Sequence, residues 1–257
     1  MPPRFAVKPA TVADIRAALS DGFADLRRRP ALSLMFGLVY AVIGAALLSG
    51  LTILDQIWIV IAAGVGFPLV APFLAAGLYD MSRRFEANQT FSARDIFLGV
   101  FRQQRREFGW MAFIVLFVFW MWAYQVRILL AIFLLNHSFY TLDGFLNVVM
   151  TTADGVAFLA VGSVIGAIIA TILFSLAVIS LPLLLDKDID FITAMITSFQ
   201  SVFASPVVMI GWGAMIGALT LAAAAPALLG VIVIFPLLGH TSWHLYKRLI
   251  TENPRVL

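Results

Sequence analysis

The chain has 257 residues, 62% of them hydrophobic and 12% charged, with a mean hydropathy of +0.99, a net charge of +3 and a pI near 9.5. A soluble domain is about 45–50% apolar with roughly a quarter of its residues charged, so composition excludes a water-soluble globular protein. The basic residues flank apolar runs, which assigns them to orientation and anionic lipid head groups, not to nucleic acid, and the absence of cysteine removes disulfides, thiolate metal sites and a cysteine nucleophile.

Residues 1–30 come first, ending in TVADIRAALSDGFADLRRRP. Val12, Ile15, Leu19, Phe23 and Leu26 share one helical face, with Asp14, Asp21, Asp25 and Arg28 largely elsewhere. Thr11 and Asp14 have capping-box spacing, although the box prefers Glu or Gln at its fourth position. Such a helix is too polar to span and is expected at the membrane interface. The first apolar run starts only after Arg27-Arg28-Arg29 and is long enough to remain as an anchor, so no cleaved signal is expected. Spans over 31–54 and 57–79 make the first hairpin.

The second unit, 92–181, opens with SARDIFLGVFRQQRREFG and has spans at 109–127 and 155–181. Between them, residues 128–154 are apolar but broken by Asn136, His137, Asp143 and Gly144, and read as an interfacial or re-entrant helix pair on the outer side. The third unit, 188–246, has the interfacial segment DIDFITAMITSFQSVFASP and spans at 206–224 and 227–246, joined by a tight turn at Ala225-Pro226. The three segments share an aspartate before an apolar residue: Asp14-Ile15, Asp95-Ile96 and Asp190-Phe191. The spacing from Asp14 to Pro30 equals that from Asp190 to Pro206, and the even spans each carry a proline, Pro72, Pro182 and Pro236. The pattern predicts an all-α membrane protein with one integral domain over 1–257. Its six transmembrane helices form three hairpins, each preceded by a cytoplasmic interfacial amphipathic helix. Placing both termini in the cytoplasm puts every Lys and Arg except Arg127 on that side, as the positive-inside rule requires.

FPLLGHTSWHLYKR, residues 235–248, holds the main candidate chemistry. His240 and His244 lie four apart on one helical face, where they could give two ligands to zinc, copper or haem. More ligands would be needed; Asp186, Asp188 and Asp190 share that membrane side, whereas His137 lies opposite. The competing reading makes Trp243 and Tyr246 interface anchors and has the imidazoles bond backbone carbonyls, including those freed by Pro236. Asp186, Asp190, His240, Trp243 and His244 thus form one candidate polar cluster: a histidine touching either aspartate marks a functional site, and no such contact leaves anchors. No cofactor or metal is expected.

Arg127 is expected to snorkel or to pair with Asp55, Asp143 or Asp154. No other ionisable group falls clearly at mid-span, which argues against a proton relay. Gly162-x-x-x-Gly166 and Gly213-x-x-x-Gly217 permit close helix approach. G-x-S-x-G and H-E-x-x-H are both missing.

PLLLDKDIDFITAMITSFQSVFASPVVMIGWG together with FPLLGHTSWHLYK resembles the C-terminal half of domain of unknown function 2189, a family of predicted bacterial integral membrane proteins. The resemblance implies a bacterial inner-membrane location and supplies no activity. The hairpin unit is also similar to the membrane domain fused to some glycerophosphodiester phosphodiesterases. Some relatives are labelled cytochrome c oxidase subunit I, but the three histidines here fall on two membrane sides, too few to hold that enzyme's haems and copper. The leading expectation is a non-catalytic accessory, assembly or scaffold component, with lipid and membrane-complex partners, respiratory ones among them. Alternatives are a transporter or channel for an apolar or amphiphilic solute, and a metal- or haem-binding protein using His240 and His244.

Overall fold

The structure, a computed structural model, describes residues 5–52, 74–102, 106–137, 142–225 and 228–252. In chain order its helices are α1 (Val12–Arg28), α2 (Pro30–Thr52), α3 (74–86), α4 (Ala93–Arg102), α5 (Arg106–Phe133), α6 (Leu142–Thr151), α7 (Ala153–Ala177), α8 (Ser180–Asp186), α9 (Phe191–Ala204), α10 (Pro206–Ala224) and α11 (Val231–Leu249). Two strands, β1 (Phe5–Val7) and β2 (Ile250–Glu252), pair antiparallel with Phe5 opposite Glu252 and Val7 opposite Ile250. Two compact units result, Met1–Phe113 with Ser175–Leu257, and Ile114–Phe174.

Among the described residues, Glu107–Phe133, Ala153–Asp186 and Pro206–Ala224 are long and apolar enough to cross a bilayer, and the bent pair Val12–Arg28 with Pro30–Ala46 makes a fourth if it is one span. Large apolar side chains stay exposed on these helices, among them Phe117, Trp120 and Ile128 on α5 and Val164, Ile168 and Ile172 on α7, as on lipid-facing surfaces. The protein is an integral membrane protein with several apolar helices. Most of the predicted second span, Pro72 included, and the preceding Asp55 lie outside the described residues. The predicted last span corresponds to α11, whose C-terminal half is polar. The stretch 128–154 differs from the predicted helix pair: α5 runs on to Phe133 and a single short helix, α6, follows.

Local sequence explains the three short polar-ended helices. At α1 the capping box is complete despite its aspartate: the Asp14 N–H donates to Thr11 Oγ1 (3.2 Å) and the Thr11 N–H to Asp14 Oδ2 (3.0 Å). Ser92 and Asp95 repeat it before α4, at 3.3 and 2.7 Å. At α9 the register differs. Asp190 is itself the N-cap, accepting from the Thr193 N–H at 2.8 Å and the Thr193 hydroxyl at 2.6 Å. The matched aspartates therefore occupy the fourth box position twice and the first once, so the equal spacings to Pro30 and Pro206 do not compare equivalent positions.

The bends that follow do match. Arg29 (φ −140°, ψ 68°) and Ser205 (φ −152°, ψ 65°) both leave the helical region, because a following proline excludes it. At Arg29 the axis turns by 104°. Asp190 supplies a testable cap. The Thr193 hydroxyl and N–H hold its carboxyl below the usual aspartate range. D190A is expected to cost about 1 kcal/mol in detergent unfolding at neutral pH. A depressed folded pKa places this stabilisation above the unfolded value, so the difference from wild type should vanish as pH falls through the lowered one. A difference that persists at low pH would contradict the assignment.

Two prolines shape the packing. Pro182 lacks the N–H that would close a helical bond to the carbonyl four residues earlier, and the helix breaks between α7 and α8. Ser198 of α9 enters this break, accepting from the Ile179 N–H (3.1 Å) and donating to the Ser175 carbonyl (2.7 Å), two groups that would otherwise bond each other. Pro236 likewise offers nothing to the Ile232 carbonyl, and there Gly37 of α2 approaches so closely that a Cβ would lie 2.0 Å from that oxygen. Gly22 of α1 meets Thr241 in the same way, so α1 and α2 pack on α11 through glycines. Around them lie Leu32, Phe36, Leu78, Met81, Phe91 and Ile96 in one apolar cluster, and Tyr40, Ala41, Ala223 and Val231 in another.

Candidate functional site

α11 carries both histidines into the interior formed by α1, α2 and α3. His240 is fully buried, with Ser33 Oγ 3.0 Å from Nε2 and Ser82 Oγ 2.8 Å from Nδ1; both serines are also fully buried. A neutral imidazole donates through one nitrogen and accepts through the other, and a hydroxyl can take either role, so this trio is satisfied internally. One turn on, His244 Nε2 stands 2.7 Å from Asp25 Oδ2 of α1 and Nδ1 3.5 Å from Glu86 Oε1 of α3. Carboxylates against both nitrogens suit an imidazolium, since a neutral ring can donate to only one of them. Arg28 Nη1 adds an ion pair to Asp25 at 3.4 Å.

The aspartates predicted beside the histidines are elsewhere. Asp186 accepts from the Tyr246 hydroxyl at 2.8 Å and lies 3.6 Å from Lys247 Nζ. Tyr246 is two positions beyond His244, hence on the other side of the helix. Asp190 caps α9. Trp243 is fully buried, edge-on to Tyr246 at 5.6 Å, with Lys247 Nζ 5.7 Å above its ring. A cavity of about 260 Å³ opens beside Asp186 and Tyr246 and includes Lys187, Lys247 and Glu252, with Lys187 and Glu252 paired at 2.8 Å. The single predicted cluster is therefore three separate arrangements, and the histidines bond side chains of other helices, not carbonyls freed by Pro236.

On the other predicted face, Asp154 pairs with His137 at 3.1 Å. Arg127 is exposed and has no ion-pair partner among the described residues, Asp143 stands exposed in the first turn of α6, and Asp55 is outside the described residues.

This geometry sets limits on chemistry. Both nitrogens of His240 face hydroxyls and none faces a carboxylate, unlike the relay that activates a serine nucleophile. The carboxylates at His244 sit against opposite ring edges and cannot converge on one ion with a ring nitrogen. Among the described residues no group of three or more His, Cys, Asp or Glu side chains could hold a metal. What the arrangement does is tie four helices together through buried polar side chains.

Sequence reading missed Ser33, Ser82, Asp25 and Glu86. A signal existed for Asp25: it continues the small-residue line Ala18, Gly22 that α1 turns inward, and all three are buried. The apolar stripe read there is only partly internal, since Val12 and Phe23 are exposed.

A family model described as a predicted integral membrane protein, DUF2189, matches residues 59–186. No curated protein and no solved structure matches the chain. The matched region includes Ser82, Glu86 and Asp186 and stops before α9, so it overlaps the stretches that carried the sequence resemblance only from Pro182 to Asp186. An integral membrane protein by its own helices and by this match, the chain carries the DUF2189 family's sequence pattern over residues 59–186.

Proposed function

We propose that the protein is a non-catalytic accessory, assembly or scaffold component of a membrane complex in the bacterial inner membrane. It has six spans in three hairpins, and both termini are cytoplasmic. The observation that carries this reading is the two-histidine centre, where each polar group with catalytic potential is occupied in joining α1, α2, α3 and α11. The β1–β2 ribbon, which places the two ends of the described chain side by side, supports termini on one face.

α9 supplies the surface for a membrane partner or lipid. Its inner face is small and polar, with Ala194, Ser198 and Ser201 buried, whereas Ile192, Ile196, Phe199 and Phe203 stand exposed along one stripe. Affinity purification of the full chain in mild detergent should recover a stoichiometric protein partner. Alanine in place of Ile196, Phe199 and Phe203 should weaken that recovery without unfolding the chain. Purification as a lone protein across several detergents would overturn the proposal.

A further inference from the structure

We infer that Arg28, Arg29, Arg83 and Arg84 form a binding site for a phosphate group, that of an anionic lipid at the membrane surface. This placement rests on the proposed membrane topology and on the interfacial position expected of α1 from its sequence.

The four guanidinium groups arrive from two dipeptides, one at the α1–α2 bend and one in the last turns of α3. Two rings anchored in the apolar cluster order three of them, and Arg83 is held by the Asp80 carboxylate and by donating to the Leu185 carbonyl (3.4 Å). Arg28 lies over Phe85 at 5.4 Å; Arg29 and Arg84 both lie over Phe91, at 4.9 and 6.0 Å. The shared ring holds these two groups in one neighbourhood. Stacking immobilises a planar guanidinium while leaving its N–H edges free, the arrangement suited to bidentate contact with phosphate.

Surrounding acids do not neutralise the group. Asp80, buried, is divided between Arg83 and Arg84. Asp25 and Glu86 hold His244 between them, and Asp25 also takes Arg28. Asp95, which feels Arg84 and Arg94, is tied into its cap by Ser92. Arg29 has an aromatic ring and no carboxylate partner among the described residues. Positive charge is thus in excess, fixed from beneath by Asp80 and open above, where Arg28 is more than half exposed. A phosphate supplies both the missing charge and the acceptors.

The test uses the full chain in maltoside micelles, with native mass spectrometry counting bound phosphatidylglycerol, phosphatidylcholine or inorganic phosphate. Phosphatidylglycerol should be retained over phosphatidylcholine. R29Q should weaken it about fivefold and R29Q/R84Q more than tenfold. R16Q/R27Q, which removes as much charge from α1 outside the group, should change little. Because Arg29 carries no ion pair among the described residues, R29Q alone keeps the test valid if the double variant unfolds. Inorganic phosphate that competes and shares the R29Q dependence would support the phosphate site with a soluble source. Equal retention of both lipids, or equal loss in R16Q/R27Q, would overturn it. Lipid retention and partner recovery are separate readouts, so failure of one does not imply failure of the other.

Discussion

Alanine at Gly37 is expected to unseat α2 from α11 and to lower stability by about 3 kcal/mol, at the upper end of overpacking costs. The new Cβ would lie 2.0 Å from the Ile232 oxygen, 2.6 Å from its carbonyl carbon and 2.8 Å from its Cα. All three are backbone atoms, so no side-chain rotation can relieve the clash and one helix must move. G22A should act in the same direction on α1, where a Cβ meets the Thr241 hydroxyl at 2.5 Å and its backbone nitrogen at 2.7 Å. The control is G217A, whose Cβ meets nothing within 4 Å; there the gain in helix propensity, about 0.8–1 kcal/mol, should leave stability unchanged or raised. Thermal unfolding of the three variants in one detergent gives the comparison. A G37A midpoint at or above that of G217A would mean that α2 and α11 do not pack as described.

The same glycines show how far this fold is legible in the sequence. Spacing alone points to Gly162 with Gly166 and Gly213 with Gly217, yet Gly217 faces open space and Gly162 and Gly166 make only ordinary contacts, at 3.5 and 3.8 Å. Gly22 and Gly37 belong to no Gly-xxx-Gly pair, and although Ala18 precedes one and Ser33 the other by four residues, what makes them close contacts is a feature of the partner helix: Thr241 opposite one, the carbonyl bypassed by Pro236 opposite the other. A motif on one helix cannot encode that. Apolar runs, the cap at Thr11 and the bends before Pro30 and Pro206 are local properties, set by hydropathy, a side-chain oxygen and a proline ring, and the chain states them directly. The β1–β2 ribbon is invisible because three residues per strand carry no periodicity and their pairing joins opposite ends of the chain. For the site, the histidines were legible as residues that had to find partners. Which partners they find depends on how α1 and α3 rotate against α11, and small residues, not charge spacing, govern that rotation. Asp186 and Asp190 were nearer in sequence; Asp25, more than two hundred positions away, makes the contact.

Removing the ring of His240 is expected to cost about 3–5 kcal/mol, because H240A opens a cavity and leaves two buried hydroxyls without partners. Ser33 and Ser82 come from different helices, so their two bonds also fix α2 and α3 against α11. S33A or S82A alone should cost about 1 kcal/mol, since the imidazole keeps one partner and can adopt the matching tautomer. Replacing all three in S33A/H240L/S82A removes the polar groups together and fills most of the space. This triple variant should recover more than half of the loss seen in H240A, as apolar substitution of both partners of a buried bond is often nearly neutral. Chemical and thermal unfolding of the four variants separates a structural histidine from a working one. If the triple variant regains stability and also recovers partner binding, His240 acts only through packing and hydrogen bonding. If it is stable but loses the partner, the imidazole itself takes part in function. That second outcome would refute the non-catalytic, structural role assigned to the centre, and H240A with near wild-type stability would refute the buried geometry from which the role was drawn.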